Sequence, residues 1–205
     1  IPEILSRAWA TALHGRPGPV VIALPEDMLT SIPTAKPLHQ PPHILEAAPS
    51  ASALEQAHAL LSQAERPLIL TGGVNWTRQG LDDLQSFAEA SDIPAIVAFR
   101  YQDRFDNHSP CYAGESGVGM PAHVRELITK ADAILAVNVR FGEITTEGFT
   151  LLDVPVPKQK LIHVHGSDRE LGKIYQPTLG IHAGPNEFAA SLKPVKGQWS
   201  QWRQS

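Results

Sequence analysis

At 205 residues, 42% hydrophobic and 19% charged, the chain has the makeup of a soluble globular protein of one domain, or one domain plus a piece of another. A formal net charge of −4 gives no positive field to collect phosphates, which argues against nucleic acid and anionic membranes as partners. A single cysteine, Cys111, excludes an intrachain disulfide and a multi-cysteine zinc site and fits a reducing compartment, so a cytoplasmic location is expected.

No apolar run approaches the roughly 20 residues of a membrane helix, and the N-terminus has neither the basic region nor the apolar stretch of a signal peptide. The chain starts at Ile1 without an initiator Met, as an excised fragment would. Glu3 to about His14 reads as a helix, Gly15-Arg16-Pro17-Gly18 as a turn, and Pro19-Val20-Val21-Ile22-Ala23-Leu24 as an apolar strand closed by Pro25-Glu26-Asp27. Prolines at 33, 37, 41, 42 and 49 then remove backbone donors and favour extended chain, so residues 31–49 read as an interdomain linker.

Ser52-Ala53-Leu54-Glu55 has the spacing of a capping box, and Leu54, Ala57, Leu61 and Ala64 recur on one helical face. Strands follow at 67–71, 94–98, 133–139, 160–165 and 178–182, alternating with helices near 79–91, 118–130, 168–174 and 184–193. Short apolar strands alternating with helices predict an α/β fold, a parallel sheet covered on both faces, over about 50–195. The tail Trp199-Ser200-Gln201-Trp202-Arg203 reads as a further connector within 196–205.

In open parallel sheets ligands sit beyond the carboxyl ends of the strands. The candidate site residues there are Gly72 and Gly73, Phe99 and Arg100, Gly114-Glu115-Ser116-Gly117, Asn138 and Arg140, and His165-Gly166-Ser167. The glycines either let a diphosphate approach the backbone or make a plain turn, and without the three-glycine fingerprint the turn is the commoner outcome. Arg100 and Arg140 can pair with phosphates or, equally, with Glu115 and Glu143. His163 and His165 share one side of a strand, a spacing metals use, although hydrogen-bonded histidines are commoner there. Ser167-Asp168-Arg169-Glu170 fits a second capping box. No nucleophile elbow, paired-carboxylate motif or Walker loop is present, so catalysis by this chain alone is not expected.

Several stretches together resemble the thiamine-diphosphate-dependent enzymes of the acetolactate synthase group. The segment from Arg7-Ala8 through His14-Gly15-Arg16-Pro17-Gly18-Pro19 to Pro25-Glu26-Asp27 is similar to the close of their pyrimidine-binding domain. Gly72-Gly73, Ile93-Pro94-Ala95, Asp106-Asn107-His108-Ser109-Pro110, Asn138-Val139-Arg140-Phe141, Leu161-Ile162-His163-Val164 and Glu170-Leu171-Gly172-Lys173 follow the order of landmarks in their central domain. The resemblance implies a three-layer, Rossmann-like domain with a six-stranded parallel sheet of the type that holds NAD or FAD. It implies a parent enzyme that uses thiamine diphosphate and Mg²⁺ on a bond next to the carbonyl of a 2-oxo acid. It also implies missing pyrimidine and pyrophosphate domains as partners, and a dimeric or tetrameric parent. Residues 1–30 would then close the first domain and 196–205 lead toward the third.

The proton-relaying glutamate and the metal motif of such enzymes would lie outside this stretch, so the fragment is expected to be non-catalytic. In relatives the central loops hold FAD, ADP or nothing. Where flavin-binding members have glycine, methionine, histidine and glycine, this chain has Gly114-Glu115-Ser116-Gly117; where they have acidic residues and then an arginine it has Gly142, Glu143 and Ile144, and where they have aspartates flanking an isoleucine it has His165, Gly166 and Ser167. Each lost anchor is worth on the order of 1 kcal/mol net, which places FAD below ADP as an expected ligand. The alternatives are a stand-alone nucleotide-binding module and a sirtuin-like NAD-dependent deacylase; the four-cysteine zinc site of the latter cannot be built from one cysteine.

Overall fold

A computed structural model describes residues 1–32, 34–36, 40 and 42–204. The linker positions Pro33, Pro37 and Pro41, and Ser205 at the end of the tail, lie outside the described residues. The chain divides into two units, Ile1–Leu45 and Glu46–Ser205. Among the described residues no helix is long and apolar enough to cross a membrane.

The first unit holds helix α1 (Pro2–Leu13), started by a proline whose missing N–H costs nothing in the first turn, and a short α2 (Glu26–Thr30). The strand expected at 19–24 is not formed. Its apolar residues are extended, with Val21 92% exposed, and no strand occurs elsewhere among the described residues of this unit to pair with them. A strand is made by its neighbour's hydrogen bonds, and β propensity alone does not supply them.

The second unit begins with α3 (Ala51–Ser62), β1 (Pro67–Thr71), α4 (Arg78–Ser91), β2 (Ala95–Ala98) and β3 (Tyr112–Ser116). It continues with α5 (Ala122–Lys130), β4 (Ala133–Val137), β5 (Lys160–His165), β6 (Leu179–His182), α6 (Pro185–Ser191) and α7 (Ser200–Arg203). The six strands form one parallel sheet in the order β3-β2-β1-β4-β5-β6. Register is regular at the centre, where Leu70 stands opposite Ile96 and Ala136.

Alternation along β1 explains the three layers. Ile69 faces one way, onto Leu61, Leu84, Phe87 and Phe188 of α3, α4 and α6. Leu68 and Leu70 face the other, onto Val124, Leu127 and Ile128 of α5 with Leu151, Leu152 and Tyr175 from loops. Each fully buried side chain of this size contributes about 1.5–3 kcal/mol of transfer free energy, so both faces are needed for stability.

Several local expectations are corrected. β3 was not predicted from pattern, because Tyr112-Ala113-Gly114-Glu115-Ser116 is a half-buried edge strand with no apolar run; Gly114, Glu115 and Ser116 therefore belong to a strand. α3 is capped by Ser50, whose Oγ accepts from the Ala53 N–H at 3.2 Å, two residues before the predicted box. α5 starts only after Pro121, since a residue preceding proline is driven out of the helical region. β4 stops at Val137 because Asn138 turns to φ 57°. The helix predicted over 168–174 is a single 3₁₀ turn, Asp168–Glu170, and Ser167 makes no side-chain cap.

Candidate functional site

Because all strands run parallel, their carboxyl ends share one edge, and the predicted positions fall along it except Gly114, which sits inside β3 opposite Ile96. Across the sheet they stand as Glu115-Ser116-Gly117 (β3), Phe99-Arg100 (β2), Gly72-Gly73 (β1), Asn138 and Arg140 (β4), and His165-Gly166-Ser167 (β5). The chain order reverses between β1 and β4, so Gly72-Gly73 and Asn138 flank the switch point where such sheets place ligands.

At that point the turn 72–75 is pinned by side chains at every carbonyl. Trp76 Nε1 donates to Gly72 O (2.7 Å), Arg104 Nε to Gly73 O (3.1 Å), Asn138 Nδ2 to Val74 O (2.7 Å) and Asn186 Nδ2 to Asn75 O (2.8 Å). Both glycines are required by proximity. A Cβ on Gly72 would lie 2.9 Å from Ala98 Cβ, and one on Gly73, at φ +72°, would lie 2.2 Å from Asn138 O. Of the four clamping residues only Asn138 is nominated by the sequence; Trp76, Arg104 and Asn186 are not. Trp76 lies in a polar loop and Asn186 in the first turn of α6, where nothing in the spacing marks them.

Toward β3, Glu115 does engage residue 100, through the backbone: its carboxylate accepts from Arg100 N–H (3.2 Å) and from Gln102 Nε2 (2.5 Å). The Arg100 guanidinium lies 4.9 Å from the Phe99 ring centroid, in cation–π contact. Among the described residues neither Arg100 nor Arg140 makes the ion pair that the sequence left open. Ser116 Oγ donates to Thr145 O, tying β3 to the loop that leaves β4.

Toward β5 lies a cavity of about 230 Å³ bordered by Arg140, Glu143, His163, Glu170, Lys173 and Tyr175. Glu170 is 6% exposed and meets Lys173 Nζ at 3.3 Å. His163 Nε2 donates to Val139 O at 2.9 Å, and Phe141 presents its ring edge-on at 5.1 Å. Burial holds the imidazole neutral, with a pKa pushed down to about 4; the hydrogen bond to Val139 opposes this only in part. His165 Nδ1 accepts from Ser167 N–H at 2.9 Å. The two rings, 6.1 Å apart in edge contact, are thus buried and each hydrogen-bonded to backbone, and no cluster able to hold a metal occurs among the described residues. Arg140, Glu143, Glu170 and Lys173 carry the charge of this cavity; of these, Glu170 and Lys173 are not among the candidate site residues of the sequence.

An open, all-parallel six-stranded sheet between two layers of helices defines the three-layer, Rossmann-like class of α/β domains. Within that class, the family described as thiamine pyrophosphate enzyme, central domain, matches residues 54–192, and the chain belongs to it. It is similar to the acetolactate synthase large subunit of Corynebacterium glutamicum, 27% identical over 195 residues that cover 94% of this chain and 31% of that one. It is also similar to acetolactate synthase 1, chloroplastic, of Zea mays (29% identity, 89% of this chain, 29% of the relative). A third relative is the acetolactate synthase isozyme 2 large subunit of Escherichia coli (25% identity, 100% and 36%). The chain thus spans about a third of the length of the curated relatives it matches.

The donor set does not suit a flavin dinucleotide. The cavity of about 230 Å³ lies below the roughly 300–1,000 Å³ of sites for drug-sized ligands. At the end of β5, His165 already spends Nδ1 on the Ser167 N–H, and Gly166 offers no side chain.

Proposed function

We propose that the chain is the central, scaffolding part of a thiamine-diphosphate- and Mg²⁺-dependent enzyme of acetolactate synthase type. The whole enzyme would make or break a carbon–carbon bond beside the carbonyl of a 2-oxo acid, the cofactor supplying the carbanion chemistry. Residues 1–30 close its pyrimidine domain, 31–49 link, 50–195 form the central domain, and 196–205 lead toward the pyrophosphate domain. Substrate contacts come from those other domains, in a cytoplasmic dimer or tetramer. The carrying observation is the pinned turn: four side chains at the switch point spend their donors on the fold itself. The chain incubated with thiamine diphosphate, Mg²⁺ and pyruvate should release no CO₂ or acetolactate, whereas the full-length parent should. Turnover by the chain alone would overturn the reading.

A second reading, a small nucleotide at the predicted strand-end residues, is supported by the cations Arg140 and Lys173 at one polar cavity. It favours ADP over FAD, and melting curves with each ligand separate the two.

A further inference from the structure

The family match ends at residue 192, yet the next eleven residues are built into the fold. Val195 is 2% exposed and its N–H donates to Ser91 Oγ at 3.0 Å. Trp199 is 3% exposed and its Nε1 donates to Ala64 O at 2.9 Å; Trp202 Nε1 donates to Pro67 O at 2.8 Å. Arg203 pairs with the Asp92 carboxylate, and its Nη1 donates to Pro110 O at 2.8 Å. Their acceptors have one thing in common. Ala64 and Pro67 lead into β1, Ser91 and Asp92 into β2, and Pro110 into β3, so the segment runs beneath the amino-terminal entrances of three adjacent strands. Trp202 packs against both hydrophobic clusters, where the sheet's two faces meet.

The other connector attaches at the opposite edge. The Glu46 carboxylate accepts from the N–H groups of Asn186 and Glu187 (3.1 Å each) and from Asn186 Nδ2 (3.2 Å), and Ala47 O accepts from Gly184 N–H at 2.8 Å. These partners follow the carboxyl end of β6, and Asn186 is the residue that also holds Asn75 O of the pinned turn.

We propose that residues 195–203 form a clasp across the amino edge of the sheet. With Glu46 at the carboxyl edge, the clasp fixes the unit's two connectors to opposite ends of the strands, so the unit holds the segments it joins at a set separation. This gives the scaffold role assigned above a physical device and rests on that reading. Cys111 reports on the clasp, because it is 2% exposed and sits directly after Pro110, an anchor of Arg203.

The test uses the whole chain and two readouts, hydrogen exchange by peptide and the rate at which a maleimide labels Cys111 under native conditions. In the wild type, peptides over 194–204 should be protected like the strands. Trp202→Phe, which keeps an aromatic ring and removes one donor, should accelerate exchange there and labelling of Cys111 by about five-fold, the factor expected from one net hydrogen bond, and Arg203→Gln, which removes the ion pair to Asp92 as well as the bond to Pro110 O, by more than that. β4 and β5 should be unaffected. Glu46→Ala should accelerate exchange only around 45–48 and 184–187, without changing Cys111. Unprotected 194–204 in the wild type, clasp variants without effect, or acceleration spread equally over β4 and β5 would each overturn the proposal. No thiamine enters these measurements, so they can fail while the parent's activity stands, or succeed if the parent proves to have another activity.

Discussion

Replacing Gly73 by alanine separates two costs that the pinned turn combines. Holding an L-residue at φ +72° costs about 1 kcal/mol. The new Cβ would stand 2.2 Å from Asn138 O and 2.7 Å from Asn138 Nδ2. Asn138 is 6% exposed at the end of a central strand, so relief requires backbone movement, worth about 1–3 kcal/mol, and the loss of its bond to Val74 O, about 1 kcal/mol net. The sum is about 3–5 kcal/mol, a large fraction of a domain's stability. Two other glycines calibrate it. Gly119, at φ +74° with nothing near its virtual Cβ, carries the conformational cost alone, so Gly119→Ala should lose about 1 kcal/mol. Gly142 has open space and no positive φ, so Gly142→Ala should stay within about 0.5 kcal/mol of the wild type. Urea unfolding at constant m-value measures all three. If Gly73→Ala costs no more than Gly119→Ala, the close approach to Asn138 is not a constraint and the reasoning fails.

Burial of His163 gives a pH dependence with a definite sign. The unfolded imidazole takes a proton near pH 6.5 and the folded one only near 4, so wild-type stability is intact above about 6.5 and falls, by about 3 kcal/mol in all, as pH drops to 4. His163→Gln should lack this component, and equal acid slopes for the two proteins would refute it. Asp132 accepts the N–H groups of Glu65 and Arg66 at 2.8 Å each, so Asp132→Ala should cost about 1–2 kcal/mol in the same urea assay. Saturating FAD should leave the melting temperature almost unchanged, with ADP giving the larger shift; several degrees with FAD alone would show that the missing carboxylates were overweighted.

What the sequence disclosed and what it hid divide along physical lines. β1, β2, β4 and β5 are apolar runs buried on both faces, so the pattern is strong, and the strand-end positions follow from them. β3 is hidden because one edge strand needs only half its surface buried, and Gly114 and Glu115 break any apolar run. Residues 19–24 err the other way: Val20-Val21-Ile22 has strand composition, but pairing decides. The tail read as a connector because Trp199 and Trp202 lie in a polar stretch. Their anchors, Ala64 and Pro67, are backbone carbonyls 135 residues away, and a carbonyl leaves no mark in sequence.

The same distinction bears on the switch point. Glycines after a strand signal close backbone approach without saying what approaches. Here it is the protein itself. Val137 O accepts from the Gly72 N–H (3.3 Å), and the four carbonyls from Gly72 to Asn75 are taken by donors from four different parts of the fold. A ligand that drew on these four side-chain donors would have to displace bonds already made, exchanging like for like and gaining little of the roughly 1 kcal/mol each supplies. Toward β5 the cost is different. Arg140 and Lys173 border an existing cavity, and a phosphate there would compete with Glu170 for Lys173. Any nucleotide held by this domain should therefore sit off-centre, at β4 and β5, and Lys173→Ala should abolish an ADP-induced melting shift that Trp76→Phe leaves intact.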